Sequence, residues 1–100
     1  MTVEATVYIL RCADGSYYTG ITRKPVEARL WEHNNAVLDS YTAKRLPVEL
    51  VFAEPFERIV DAIACERQIK GWSRAKKEAL IRRAYEELPE LASRPPRSVD

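Results

Sequence analysis

Apolar and β-branched residues crowd Thr6-Val7-Tyr8-Ile9-Leu10-Arg11-Cys12 and return at Tyr17-Tyr18-Thr19-Gly20-Ile21-Thr22. Between them stands Ala13-Asp14-Gly15-Ser16, a cluster of turn formers. Two strand-forming runs around turn chemistry predict a β-hairpin. A three-residue loop, Ala13-Asp14-Gly15, puts Gly15 in the left-handed conformation such loops need. Cys12 then opposes Ser16, Leu10 opposes Tyr18, and Tyr8 opposes Gly20. Opposed residues share a sheet face, so Tyr8 and Tyr18 fall on one side, with bare backbone at Gly20 beside Tyr8. A two-residue Asp14-Gly15 loop would instead send the tyrosines to opposite faces.

Beyond the hairpin the period changes. Pro25 suits a first helical turn, and Val26 to Asn35 reads as a helix closed by Asn34-Asn35. Arg29 and His33 are four apart and lie on one face of it. Residues 36 to 47 are irregular. Val48 to Ala53 reads as a third strand, ended by Pro55. Ile59, Ala62, Ile63 and Ile69 mark the apolar stripe of a second helix, Arg58 to Lys70. Gly71 breaks it, and Ser73 caps a third helix from Arg74 to about Leu88. Trp31 and Trp72 are expected in the core or at its edge. Pro89, Pro95 and Pro96 mark a frayed tail. The expectation is one domain over residues 1–88 with a flexible tail at 89–100. Its class is α+β: a small three-stranded antiparallel sheet flanked by helices, in the order β-β-α-β-α-α.

Composition narrows the function classes. At 46% hydrophobic and 31% charged, the chain is apolar enough for a core and too apolar for intrinsic disorder. Sixteen Lys and Arg against fifteen Asp and Glu rule out a polyelectrolyte acting through its overall charge. Cys12 and Cys65 are far apart, and His33 is the single histidine. These counts exclude a zinc finger, a thioredoxin-type site and a disulfide scaffold. The cysteines read as small buried hydrophobes in a reducing compartment. No segment is long and apolar enough to span a membrane, and the start lacks a secretory pattern. The expected address is the cytoplasm, with no membrane partner.

Two features break the packing rules. Glu66 sits in the apolar stripe of the second helix, where a carboxylate is costly unless paired or bound to a metal. A salt bridge to Lys70, one turn on, is the purely structural alternative. From Arg67 to Arg83 there are seven basic residues and one acid, Glu78, with Trp72 among them. Such a run is either a solvated helix face or the electrostatic footprint of nucleic-acid binding.

Taken together, these residues resemble a GIY-YIG nuclease domain of the small stand-alone bacterial kind. The two signature triplets stand as Thr6-Val7-Tyr8 and Tyr18-Thr19-Gly20. Arg29-Leu30-Trp31-Glu32-His33-Asn34 is similar to the family's R-x-x-x-H-N element. Tyr41-Thr42 and Pro47-Val48-Glu49-Leu50-Val51 match the usual lead into the third strand. Glu66-Arg67-Gln68-Ile69-Lys70-Gly71-Trp72-Ser73-Arg74-Ala75-Lys76-Lys77 resembles the E-x-x-I-K-x-W-x-R-x-K-K stretch of stand-alone members. The resemblance covers roughly residues 5 to 83. Thr6 replaces the family's glycine, Thr19 its isoleucine, and Ile21 stands where repair-incision relatives carry a lysine.

The resemblance implies metal-dependent endonuclease activity on DNA phosphodiesters, structured or damaged and without sequence preference, in repair or recombination. It implies Tyr8, Tyr18, Arg29, His33 and Glu66 as the catalytic set, with Glu66 ligating one Mg²⁺ or Mn²⁺. Arg29 would neutralise charge on the scissile phosphate. The tyrosines would flank the attacking water, with Tyr18 taking or relaying its proton. A free phenol titrates near ~10, so it needs a nearby cation or a proton acceptor such as His33. Arg67, Lys70, Arg74, Lys76 and Lys77 are the candidate nucleic-acid contacts. A domain this small has little surface for reading sequence, so a protein partner or a homodimer is expected to assist. The competing readings are a non-catalytic nucleic-acid-binding module, or a partner-dependent subunit, using the Arg67–Arg83 patch.

Overall fold

The computed structural model describes residues 2–35 and 41–83 of the chain. The expected tail at 89–100 and the segment 36–40 lie outside the described residues. Strand β1 (Ala5–Arg11) pairs with β2 (Tyr17–Thr22) and with β3 (Glu49–Phe56) in an antiparallel sheet of order β2-β1-β3. Helix α1 (Val26–Asn34) follows the hairpin, and α2 (Ile59–Lys70) and α3 (Arg74–Ile81) follow β3. One turn of 3₁₀ helix, Tyr41–Lys44, stands within the stretch expected to be irregular. The expected class and element order hold.

The hairpin forms the three-residue loop. Gly15 adopts φ +86°, and the Cys12 N–H donates to the Ser16 carbonyl at 2.8 Å. Asp14 closes the turn by accepting from the Ser16 amide at 3.0 Å and from its hydroxyl. Leu10 therefore opposes Tyr18, and Tyr8 opposes Gly20.

Being central, β1 is covered on both faces, which explains its nearly unbroken apolar run. Val7 and Ile9 pack with Phe52 against Ala62, Ile69 and Leu80 of α2 and α3. Tyr8, Leu10 and Cys12 face the other way, with Tyr18, Leu50 and Val26 and Leu30 of α1. The register between β1 and β3 shifts between Ile9 and Leu10. That irregularity gives Val51 and Phe52 to the α2 face and Leu50 to the α1 face.

Three expectations need correction. β3 does not stop before Pro55 but continues to Phe56, with Pro55 opposite Thr6. The strand is a sheet edge, where a proline's missing N–H can face away from the ladder. Helix α3 ends at Ile81, short of Leu88, and Arg83 turns to φ 61°. Trp31 is 61% exposed rather than at the core edge. Arg29 and His33 turn toward the sheet, and Trp31, about 200° around the helix from each, points away from it. Trp72 does pack against the core, half-buried.

One buried polar atom is unsatisfied. Thr19 is 4% exposed, opposes Ile9 in the ladder, and its Oγ1 has no hydrogen-bond partner among the described residues. An orphaned buried hydroxyl costs about 1–3 kcal/mol. Thr19→Val keeps the shape and removes the polar atom, so it should stabilise the protein by about 1 kcal/mol. Urea denaturation checks this through a higher midpoint at unchanged slope; an unmoved or lower midpoint would show that the hydroxyl is satisfied.

Candidate active site

The site begins with Gly20. A methyl group there would stand 2.6 Å from Cζ and Oη of Tyr8 and 2.9 Å from Cε2 of Tyr18. The two phenol rings thus lie over the bare backbone of β2, their centroids 6.3 Å apart. Only glycine leaves this room, because opposed residues on one sheet face project to the same side.

Helix α1 brings its two polar groups onto the same place. Arg29 Nε donates to Tyr8 Oη at 3.3 Å, and His33 Nε2 lies 3.0 Å from that same oxygen. His33 also stacks near Tyr18, ring centroids 5.2 Å apart. Its Nδ1 lies 2.7 Å from Thr42 Oγ1 on the 3₁₀ turn. Tyr8, His33 and Thr42 are each 1% exposed. Tyr8, Tyr18, Arg29 and His33 therefore form one cluster, as the four-residue spacing on α1 and the hairpin register require.

Two members of the surroundings carried weaker signals in the sequence. Glu32 accepts from Arg29 Nη1 at 3.1 Å and also pairs with Lys24, which fixes the guanidinium on its outer side. Those two hydrogen bonds, Lys24 first and then Arg29, hold its carboxyl below the usual carboxylate range. The three-residue spacing from Arg29 was the available clue. Thr42 stood only inside a dipeptide leading toward the third strand.

Burial sets the protonation of the cluster. It raises Tyr8 above the ordinary phenol value, partly offset by the hydrogen bond from Arg29. Tyr8 thus keeps its proton near neutral pH. Tyr18 is only half-buried and is the phenol that solvent can reach.

Glu66 comes from the other side. It stands on α2, which packs on the face of the sheet opposite Tyr8. Its carboxylate is 12% exposed and accepts from Lys70 Nζ at 2.6 Å. That bond is the first cause raising the Lys70 pKa, and the nearby Tyr18 phenol raises it further. Lys70 is thereby paired with Glu66 and within electrostatic reach of Tyr18. No group of three His, Cys, Asp or Glu gathers among the described residues. A single hard carboxylate suits a cation that keeps most of its waters, and it does not suit zinc. One contact to Lys70 leaves acceptor capacity on Glu66.

The expected nucleic-acid contacts divide. Arg74 donates to the Gly15 carbonyl at 2.8 Å, pairs with Glu78 at 3.0 Å and lies 4.5 Å over the Tyr17 ring. Lys76 sits 4.4 Å over the Trp72 ring. Arg83 pairs with Glu54 and covers Phe52. Arg74 thus ties α3 to the hairpin, Arg83 ties the turn after α3 to β3, and Lys76 covers the α2–α3 connection. Arg67 and Lys77 have no partner among the described residues, Arg67 exposed and Lys77 half-buried.

Comparison with known proteins gives the family. Residues 4–79 match the model of the GIY-YIG catalytic domain. The chain belongs to the GIY-YIG family. Among curated GIY-YIG relatives, a UPF0213 protein of Staphylococcus saprophyticus is 45% identical over 75 residues, 75% of this chain and 90% of that protein. A UPF0213 protein of Natronomonas pharaonis is 46% identical over 81 residues, 81% of this chain and 94% of that protein. The solution NMR structure of a UPF0213 protein from Bacillus halodurans is similar at a TM-score of 0.53 and 34% identity. It covers 94% of this chain and 98% of that one. A solution structure from E. faecalis gives a TM-score of 0.57 and 37% identity over 87% of this chain and 91% of that one.

Two outcomes follow for the GIY-YIG cluster. Gly20→Ala should push both phenol rings aside and cost about 1–3 kcal/mol, read as a lower urea midpoint. An unchanged midpoint would mean that the rings have room to spare. The second concerns pH. Burial, then Arg29, lowers the His33 pKa below its ordinary 6.5, with Glu32 opposing. The unfolded chain takes up this proton first, so the contribution is complete above 6.5 and is lost as pH falls toward the lower native pKa. The urea midpoint should therefore fall more steeply between about pH 7.5 and 5.5 than it does in His33→Gln. Parallel curves would show that His33 does not titrate on unfolding.

Proposed function

We propose that this chain is a divalent-metal-dependent endonuclease that hydrolyses DNA phosphodiester bonds, acting on structured or damaged DNA in repair or recombination. The observation that carries the reading is the convergence of Arg29 and His33 on the buried Tyr8 hydroxyl, beside the more open Tyr18. Membership of a family defined by its catalytic domain supports it.

The roles follow from exposure. Arg29 is held by Tyr8 through Nε and by Glu32 through Nη1, leaving Nη2 without a partner among the described residues. A guanidinium fixed in this way is oriented before a phosphate arrives and loses little freedom on binding it. Tyr18 is the phenol able to meet an attacking water and pass on its proton. Tyr8 anchors Arg29 and links it to His33. Glu66 would hold one Mg²⁺ or Mn²⁺, which when bound lowers the pKa of water and stabilises charge on the leaving oxygen. Lys70, paired with Glu66 and within electrostatic reach of Tyr18, places positive charge where a phenolate or a phosphate would need it.

A domain of this size offers little area for reading base sequence, so recognition falls on DNA shape and on a partner or second copy. Arg67 and Lys77 are the cations of the α2–α3 run best placed to meet phosphates. The non-catalytic reading loses ground because Arg74, Lys76 and Arg83 are already engaged within the fold.

The test is cleavage of labelled single-stranded, duplex, flap and four-way-junction DNA with Mg²⁺, Mn²⁺ or EDTA. Cleavage should require metal and fall to the EDTA background in Glu66→Gln. Arg29→Ala should lower kcat roughly 100-fold, the scale seen when a charge-stabilising donor is removed. Salt-sensitive binding with no cleavage in any metal, unchanged in Glu66→Gln, would establish a binding module instead.

A further inference from the structure

We infer that Thr42 is a positioning residue that fixes the tautomer of His33, holding the ring proton on Nδ1 so that Nε2 accepts the Tyr8 hydroxyl. The tautomer follows from counting donors and acceptors. The Tyr8 oxygen receives Arg29 Nε–H at 3.3 Å, and the phenol has one proton of its own to place. With Nδ1 protonated, the bonds run head to tail: Arg29 Nε–H to Tyr8 Oη, Tyr8 O–H to His33 Nε2, and His33 Nδ1–H to Thr42 Oγ1. Arg29 Nε–H, Tyr8 O–H and His33 Nδ1–H then each have an acceptor.

The other tautomer fails that count. With Nε2 protonated, Tyr8 would accept from both Arg29 and His33, and its own hydroxyl proton would have no acceptor among the described residues. At 1% exposure no solvent substitutes. A threonine hydroxyl can accept or donate, so it is the Tyr8 oxygen that excludes the second tautomer, and Thr42 Oγ1, 2.7 Å from Nδ1, supplies the acceptor that the first one needs. Burial keeps the ring neutral, the only state in which a tautomer is defined.

The consequence for catalysis rests on the nuclease reading above. An unprotonated Nε2 facing Tyr8 keeps the phenol turned toward His33 and its oxygen lone pairs toward Arg29. Moving the ring proton to Nε2 would leave the Tyr8 proton without its acceptor and disturb the bond to the guanidinium that is to receive the phosphate.

His33 is the single histidine of the chain, so a ¹⁵N-labelled sample gives one imidazole spectrum. At neutral pH wild type should show a protonated, pyrrole-type Nδ1 and an unprotonated, pyridine-type Nε2. Thr42→Val, of the same shape, should lose that pattern toward the Nε2-protonated form, and Thr42→Ser should restore it. Nε2 protonated in wild type, or an unaltered spectrum in a folded Thr42→Val, would overturn the assignment. The spectra need no DNA, so they stand or fall apart from nuclease activity. In the cleavage assay Thr42→Val should lose at least tenfold in kcat with DNA affinity unchanged, and Thr42→Ser should recover it. Full cleavage by Thr42→Val despite a reversed tautomer would refute the positioning role.

Discussion

The register of the β1–β2 hairpin is the constraint on which the site depends. Side chains alternate across a sheet, so a slip of one residue would carry Tyr18 to the face covered by α2. Gly15, at positive φ, permits the three-residue loop, and the Cys12–Ser16 bond closes it. That choice sets Gly20 opposite Tyr8 and leaves one patch of backbone with two phenols above it. Arg29 and His33 then need only the spacing of one helical turn to reach the same oxygen.

Much of this was legible because it rests on short-range rules. Turn chemistry and a glycine at the loop's left-handed position indicated the hairpin register. Helical spacing put Arg29 and His33 together, and Ser73 marked the start of α3. The missed features depend on neighbours distant in sequence. Pro55 looked like a strand ending because nothing local says that β3 is an edge. Trp31 looked like core because its hydrophobicity says nothing of which side of α1 meets the sheet. Thr42 gave no periodic signal, and its role arises only when a 3₁₀ turn meets a helix nine residues earlier. The cations of α3 looked like one uniform patch. Whether each meets solvent or an internal partner depends on Tyr17, Gly15 and Glu54, which belong to strands and turns elsewhere.

The two faces of the sheet divide the work. The α1 face holds the hydrogen-bonded groups, aligned and mostly shielded from water. The α2 face is an apolar core, and α2 carries the paired Glu66 and Lys70. Burial costs the first group its solvation, which is tolerable because each of its buried side-chain polar atoms finds a partner. The contrast with Thr19 is instructive: it occupies the apolar face, and there its hydroxyl has none.

The double coverage of β1 has a consequence for how the molecule opens. Segments with many buried contacts exchange their amide protons only in the largest unfolding events, whereas peripheral elements open locally at little cost. Val7, Tyr8, Ile9 and Leu10 are at most 1% exposed, and the arginine–tyrosine–histidine cluster hangs from the middle of that run. Helix α3, two turns long, seats Leu80 on the face of the sheet opposite the cluster, so it can loosen without touching it. The arginine–tyrosine–histidine geometry is therefore built into the last part of the chain to come apart, and fluctuations at the rim leave it standing.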